Sequence, residues 1–177
     1  AIRPSLTRGR SEFTYFPGMI RIPEGSAPNF KNKSWAIAAE VTIPDNGANG
    51  VLATIGGRFG GWGLMLRNSK PEFHYALSNQ PEHKFRIVSD QPVPAGNHVV
   101  RVAFKYDGGG IGKGATAVLF VDGKEVGQGR IPQTVPIRFS LDETFDIAED
   151  TGTPVVEDYV DQMPCRFTGT LKKFVVI

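Results

Sequence analysis

Between His98 and Gly129 the chain alternates, turns and alternates again, and few folds can accommodate that pattern. His98, Val100, Val102, Phe104 and Tyr106 share one face of an extended chain, with Val99, Arg101, Ala103 and Lys105 on the other. A period of two sustained this long predicts a half-buried strand and excludes a helix. A glycine-rich loop from Asp107 to Gly114 leads into a second apolar run, Ala115 to Val121. Asp122-Gly123 then separates that run from the segment ending at Gly129. Asp-Gly between two strands predicts a tight hairpin, because both central residues of a type I′ turn need positive φ.

The rest of the chain repeats this rhythm. Trp35 to Ile43 alternates, with Trp35, Ile37, Ala39, Val41 and Ile43 on one face and small or polar residues on the other. Short strands are predicted at Val51–Ile55, Gly61–Arg67, Glu72–Leu77 and Lys84–Val88, at the spacing of a sandwich or jelly roll. Phe13 to Ile22 reads as a bent strand, Gly56 to Gly61 as a turn or bulge, Val135 to Leu141 as a strand and Arg166 to Ile177 as the closing strand. Apolar residues recur nowhere at helical spacing for a dozen positions. The 21 Gly, 13 Pro and 12 Phe among 177 residues suit many short strands joined by turns. The reading is all-β: a lead-in or linker over residues 1–12, then one antiparallel β-sandwich domain over 13–177.

Composition narrows the function. A net charge of +2 without a basic block argues against nucleic acid. No apolar run is long enough to span a membrane as a helix. One cysteine, Cys165, precludes an internal disulfide, which leaves cytoplasm and periplasm equally open. The opening Ala1-Ile2-Arg3-Pro4, lacking an initiator Met or signal-peptide pattern, reads as a piece of a longer protein.

Several motifs invite chemistry. Gly112-Lys113 suggests a phosphate loop, but Asp107 stands where the first glycine belongs, Gly114 follows the lysine, and a strand follows in place of a helix. From Phe139 to Cys165 there are eight acids and no Lys or Arg. In that stretch Glu143, Asp146 and Glu149 are three apart and alternate faces on a strand, which does not suit the paired carboxylates of a glycosidase. Asp142, Asp146, Asp150 and Asp158 offer the oxygen ligands of a structural calcium site, the one cofactor the chain suggests. His74, His83 and His98 lack metal spacing, and His98 reads as a hydrogen-bonded core or rim residue. Cys165 beside Arg166 reads as a buried thiol, and no Gly-x-Ser-x-Gly elbow exists. For carbohydrate, the candidate ligand residues are Arg58, Trp62, His74 and Tyr75, with Phe73 and Phe85 extending an aromatic patch.

A wider resemblance runs through Phe13-Thr14-Tyr15-Phe16-Pro17-Gly18-Met19, Arg21-Ile22-Pro23-Glu24-Gly25-Ser26-Ala27-Pro28, Lys31-Asn32-Lys33-Ser34 and Gly56-Gly57-Arg58-Phe59-Gly60-Gly61. It continues through Lys105-Tyr106-Asp107-Gly108, Val121-Asp122-Gly123-Lys124, Asp142-Glu143-Thr144-Phe145-Asp146, Asp150-Thr151-Gly152-Thr153-Pro154-Val155 and Arg166-Phe167-Thr168-Gly169. In these motifs the chain resembles the C-terminal domain of large bacterial arylsulfatases. That resemblance implies a concanavalin A-like (laminin G-like) jelly roll behind a sulfatase catalytic domain, its partner in the parent chain. The sulfatase nucleophile motif, Cys/Ser-x-Pro-x-Arg, is missing here, since Cys165-Arg166-Phe167-Thr168-Gly169 lacks both the Pro and the Arg. The expected role is therefore non-catalytic: an accessory domain of a sulfuric ester hydrolase. A carbohydrate-binding module is the alternative, and a free-standing glycan hydrolase a third reading.

Overall fold

The computed structural model describes residues 12–57, 59–78, 80–136, 144–150 and 165–177. Among the described residues, twelve strands form two antiparallel sheets packed face to face. The first sheet has the order β1 (Phe13–Tyr15), β12 (Thr170–Val176), β3 (Trp35–Ile43), β8 (Gly96–Tyr106), β9 (Ala115–Val121) and β10 (Lys124–Ile131). The second has the order β2 (Ile22–Pro23), β11 (Thr144–Ile147), β4 (Gly50–Gly57), β5 (Gly60–Arg67), β6 (Lys70–Ala76) and β7 (Lys84–Val88).

The opening hairpin forms as its chemistry demands. Asp122 and Gly123 take φ of 50° and 83°, closing β9 onto β10 at the Val121–Lys124 pair. The same logic joins β5 to β6, where Asn68 and Ser69 have φ of 51° and 64° between the paired Arg67 and Lys70. The alternating residues of β3 and β8 face inward, with Ile37, Ala39, Val100 and Val102 fully buried. Between the sheets lies an aromatic cluster. Trp35 stacks on Phe104 at 4.6 Å between centroids, and Phe30, Trp62, Phe73, Tyr75 and Phe145 surround the pair. Such contacts contribute about 0.5–1.5 kcal/mol each beyond the area they bury.

Four expectations change. The turn expected over Gly56 to Gly61 is narrower than that span, because Gly56-Gly57 and Gly60-Gly61 are the paired ends of β4 and β5. A Cβ at Gly56 would lie 2.1 Å from the Gly60 carbonyl oxygen, so only glycine allows the two backbones this close. Phe13 to Ile22 divides into β1 and β2, which lie in different sheets. Within the acidic stretch, Thr144 to Ile147 form a strand that fills the gap between β2 and β4. Val135 and Pro136 are not in a strand, and the remainder of the strand expected to Leu141 lies outside the described residues.

The two sheets differ in their outward faces. The first alternates buried and open along β8 and β12, as a solvated face should. In the second, β4 is buried at every position and β5 and β6 at nearly every one. Polar residues on that recessed outward face cannot rely on bulk water and must find partners.

Candidate functional site

Register brings the polar residues of the second sheet's outward face into line. Asp146 on β11 pairs with Thr54 on β4, Thr54 with Gly63 on β5, Gly63 with His74 on β6, and His74 with Arg86 on β7. Alternation puts the intervening Phe73, Tyr75 and Ile87 in the core. In the adjacent row, Val51, Met65 and Glu72 are neighbours, and Val51 and Met65 form a small apolar cluster with Cys165.

Glu72 organises this face. Its carboxylate, 4% exposed, takes Arg67 Nε at 3.2 Å on Oε2. His74 Nε2 at 2.9 Å and Arg86 Nε at 3.2 Å meet on Oε1. Burial alone would raise the Glu72 carboxyl, but the His74 hydrogen bond and the charges of His74, Arg67 and Arg86 outweigh it and hold the pKa below the usual range. The Arg86 side chain remains half exposed above this anchor. Thr54 lies on the same face, and its buried hydroxyl has no hydrogen-bond partner among the described residues.

The ligand residues expected from sequence separate into two groups. Trp62 and Tyr75 are corrected: both are fully buried inside the sandwich, as is Phe73, and a core ring offers no face to a sugar. The Tyr75 hydroxyl accepts a hydrogen bond from the Val135 backbone N–H at 2.9 Å, and burial pushes its pKa well up. His74 does lie on the outward face, held by Glu72. Arg58 lies outside the described residues, while its neighbour Phe59 is 57% exposed at the β4–β5 tip. Arg86, Arg67 and Thr54 were not singled out from the sequence. Their signal is cross-strand phase, which becomes visible only once the register of β4 to β7 is known.

The acidic stretch takes another role. Asp146 is buried, and its Oδ1 accepts the Arg21 backbone N–H at 2.6 Å and the Thr144 hydroxyl at 3.1 Å, tying β2 to β11. Asp150 is also buried. Asp142 and Asp158 lie outside the described residues, and among the described residues no group of three or more His, Cys, Asp or Glu is placed to hold a metal. Glu149 pairs with Arg166 at 2.9 Å, so Arg166 is not an activator of Cys165. That thiol is raised by burial and then by Asp150. His98 sits at the rim, with Nδ1 2.6 Å from Asp122 Oδ2. No helix among the described residues is long and apolar enough to cross a membrane.

No protein-family model matches the chain, and no curated protein matches it in sequence. Solved structures do resemble it. The CBM40 of the Ruminococcus gnavus IT-sialidase, bound to α2,3-sialyllactose, matches 93% of this chain and 90% of its own at TM-score 0.56 and 15% identity. A structure of botulinum neurotoxin type C, described in connection with two ganglioside molecules, matches 82% of this chain at TM-score 0.51 and 13% identity. The mouse laminin α1 domains LG4-5 match 94% at TM-score 0.49 and 13% identity. This chain spans 32% of the neurotoxin structure and 38% of the laminin one. The fold is therefore a concanavalin A-like jelly roll, as the motif resemblance implied.

Proposed function

We propose that this domain is a carbohydrate-binding module whose site is the outward face of the second sheet, centred on His74 and Arg86. The observation that carries the reading is the Glu72 anchor. A buried carboxylate fixes one imidazole and two guanidinium groups on an otherwise close-packed face, and one of those cations is half exposed. A purely structural surface has no need of so costly an arrangement, since surface ion pairs add little stability and buried charges demand exact partnering. The Thr54 hydroxyl, buried and without a hydrogen-bond partner among the described residues, adds a polar group on the same row. Structural neighbours of the same fold include a module solved with sialyllactose, which supports the reading without assigning a ligand.

The test is calorimetric titration of the domain with an oligosaccharide panel, beside His74→Ala. Saturable binding that falls about tenfold in the variant supports the site. No binding across the panel removes the carbohydrate reading.

The sulfatase attachment is a second reading, favoured by the motif series from Phe13 to Gly169. In it the module lies behind a sulfuric ester hydrolase and shapes substrate access. The coding sequence upstream of Ala1 decides it, through the presence or absence of Cys/Ser-x-Pro-x-Arg.

A further inference from the structure

The carbohydrate reading leaves the kind of sugar open. Resting on that reading, we infer that the site selects an acidic glycan, whose carboxylate or sulfate is taken by the terminal amino groups of Arg86.

The geometry around Glu72 points to this. Arg86 faces the carboxylate through Nε, so the Nη1/Nη2 edge of its guanidinium is turned to other partners. That edge presents two parallel N–H donors whose spacing matches the oxygens of a carboxylate or sulfate. The arginine is held in position from behind before any ligand arrives, and its ordering cost is already met by folding. His74, directly across the strand pair from Arg86, uses Nε2 on Glu72. Its Nδ1 has no described partner and lies on the same face, placed to meet a ring hydroxyl beside the acidic group. Lys84 and Val88 flank Arg86 at positions of the same strand phase. The first adds positive charge, and the second, 38% exposed, adds an apolar surface for the C–H face of a ring. Glu72 cannot compete as an acceptor of sugar hydroxyls, because it is buried and already engaged by Arg67, His74 and Arg86. A neutral sugar would therefore leave the main charge of the site unused.

Three probes on one disaccharide test this: lactose, 3′-sialyllactose and lactose 3′-sulfate, titrated into the domain at low and at moderate salt. The expected result is that at least one acidic ligand binds about ten- to a hundredfold tighter than lactose, the range of a charge-assisted bidentate contact. That preference should shrink as salt rises. Arg86→Ala should remove the preference, bringing the acidic ligands down to no better than lactose in the same variant, while Arg86→Lys, which keeps the charge without the fork, should restore only a fraction. Comparing the carboxylate and sulfate arms identifies the source of the anion. Lactose binding as tightly as both acidic ligands, or a folded Arg86→Ala that keeps the preference, overturns the inference and leaves the carbohydrate function standing. If neither these nor other oligosaccharides bind, the function itself fails and the inference falls with it.

Discussion

Asp122→Asn isolates one electrostatic clasp without disturbing the turn that carries it. Asn tolerates positive φ as well as Asp, so the β9–β10 hairpin keeps its geometry, and the amide oxygen can still accept the Val99 N–H that Asp122 Oδ1 takes at 2.8 Å. What disappears is the charge facing His98 Nδ1 at 2.6 Å. The other ring nitrogen, Nε2, lies 3.3 Å from the Ala95 carbonyl, so both nitrogens face acceptors and only the imidazolium can donate to both. The His98 pKa is raised, chiefly by its hydrogen bond to Asp122, with burial pulling the other way; that of Asp122 is lowered, first by the same bond. The histidine contribution is fully present below the unfolded value of about 6.5 and is lost as pH rises through the raised folded value. The aspartate contribution is present above about 3.9 and is lost as pH falls through the depressed one. The pair therefore stabilises most between about pH 4 and 6.5. A charge-assisted bond contributes about 1.5–3 kcal/mol, and solvent screening of a carboxylate that is 49% exposed reduces this to about 1 kcal/mol. Other charges nearby are Glu40, itself paired with Lys173 at 3.1 Å, and Lys172, both lining the same small cavity of about 130 Å³. Denaturant unfolding should show Asp122→Asn less stable by about 1 kcal/mol at pH 5.5, or about 2–4 °C in Tm, with most of that difference gone at pH 9. An equal loss at both pH values, or a His98 that titrates at or below the ordinary histidine value by NMR, refutes the reasoning.

Three further outcomes follow from backbone and burial. Gly56→Ala must open the β4–β5 hairpin to clear the Gly60 carbonyl, so it should cost at least about 2 kcal/mol and lower Tm by roughly 4 °C or more. Gly108→Ala, at φ +80° with nothing within 4 Å of the added carbon, should cost only the left-handed penalty of about 1–2 kcal/mol. Cys165, buried and with its thiol pKa raised, should react with a disulfide reagent at pH 8 far more slowly in the folded domain than in denaturant. Equal rates would show that the thiol is open.

The fold was legible because its signals are local. The strand Trp35 to Ile43 and the β8–β9–β10 hairpin follow from alternation and one Asp-Gly turn, and none of these depends on a distant residue. Trp62 and Tyr75 were misplaced for a related reason. Alternation groups Trp62 with Leu64 and Leu66, but a sheet buried on both faces no longer marks which group is inner by polarity alone. The acidic stretch misled in a different way, because Asp146 looks solvated in sequence and is buried by its hydrogen bond to the Arg21 backbone, 125 residues away. Glu72 and His74 could be placed on one face from their spacing. Their meeting with Arg67 and Arg86 depends on the register in which β5 and β7 pair with β6, which alternation alone does not set.

The candidate site is rigid because its polar residues alternate with core anchors. Glu72 and His74 flank Phe73, and Tyr75 follows, while Arg86 sits between Phe85 and Ile87; Phe73, Tyr75 and Ile87 are buried and Phe85 packs against the same core. Each outward side chain thus leaves a backbone fixed on both sides by packing that would be lost if the strand shifted. The connection after β7 is fastened too. Ser89 N–H donates to the Pro71 carbonyl, Val93 N–H to the Ser69 carbonyl, and the Val93 side chain is buried. That connection runs on to Ala95 and the His98 clasp, so the edge strand bearing Arg86 is held at its far end by contacts to β6 and by a pair that weakens above neutral pH. Since Arg86 is positioned by Glu72 on β6 and not by the clasp, loosening the clasp should lower global stability at high pH while leaving the guanidinium in place. Glycan affinity measured at pH 6 and at pH 8.5 should therefore change far less than stability does. A parallel loss of both would mean that the position of β7 depends on the connection and not on Glu72.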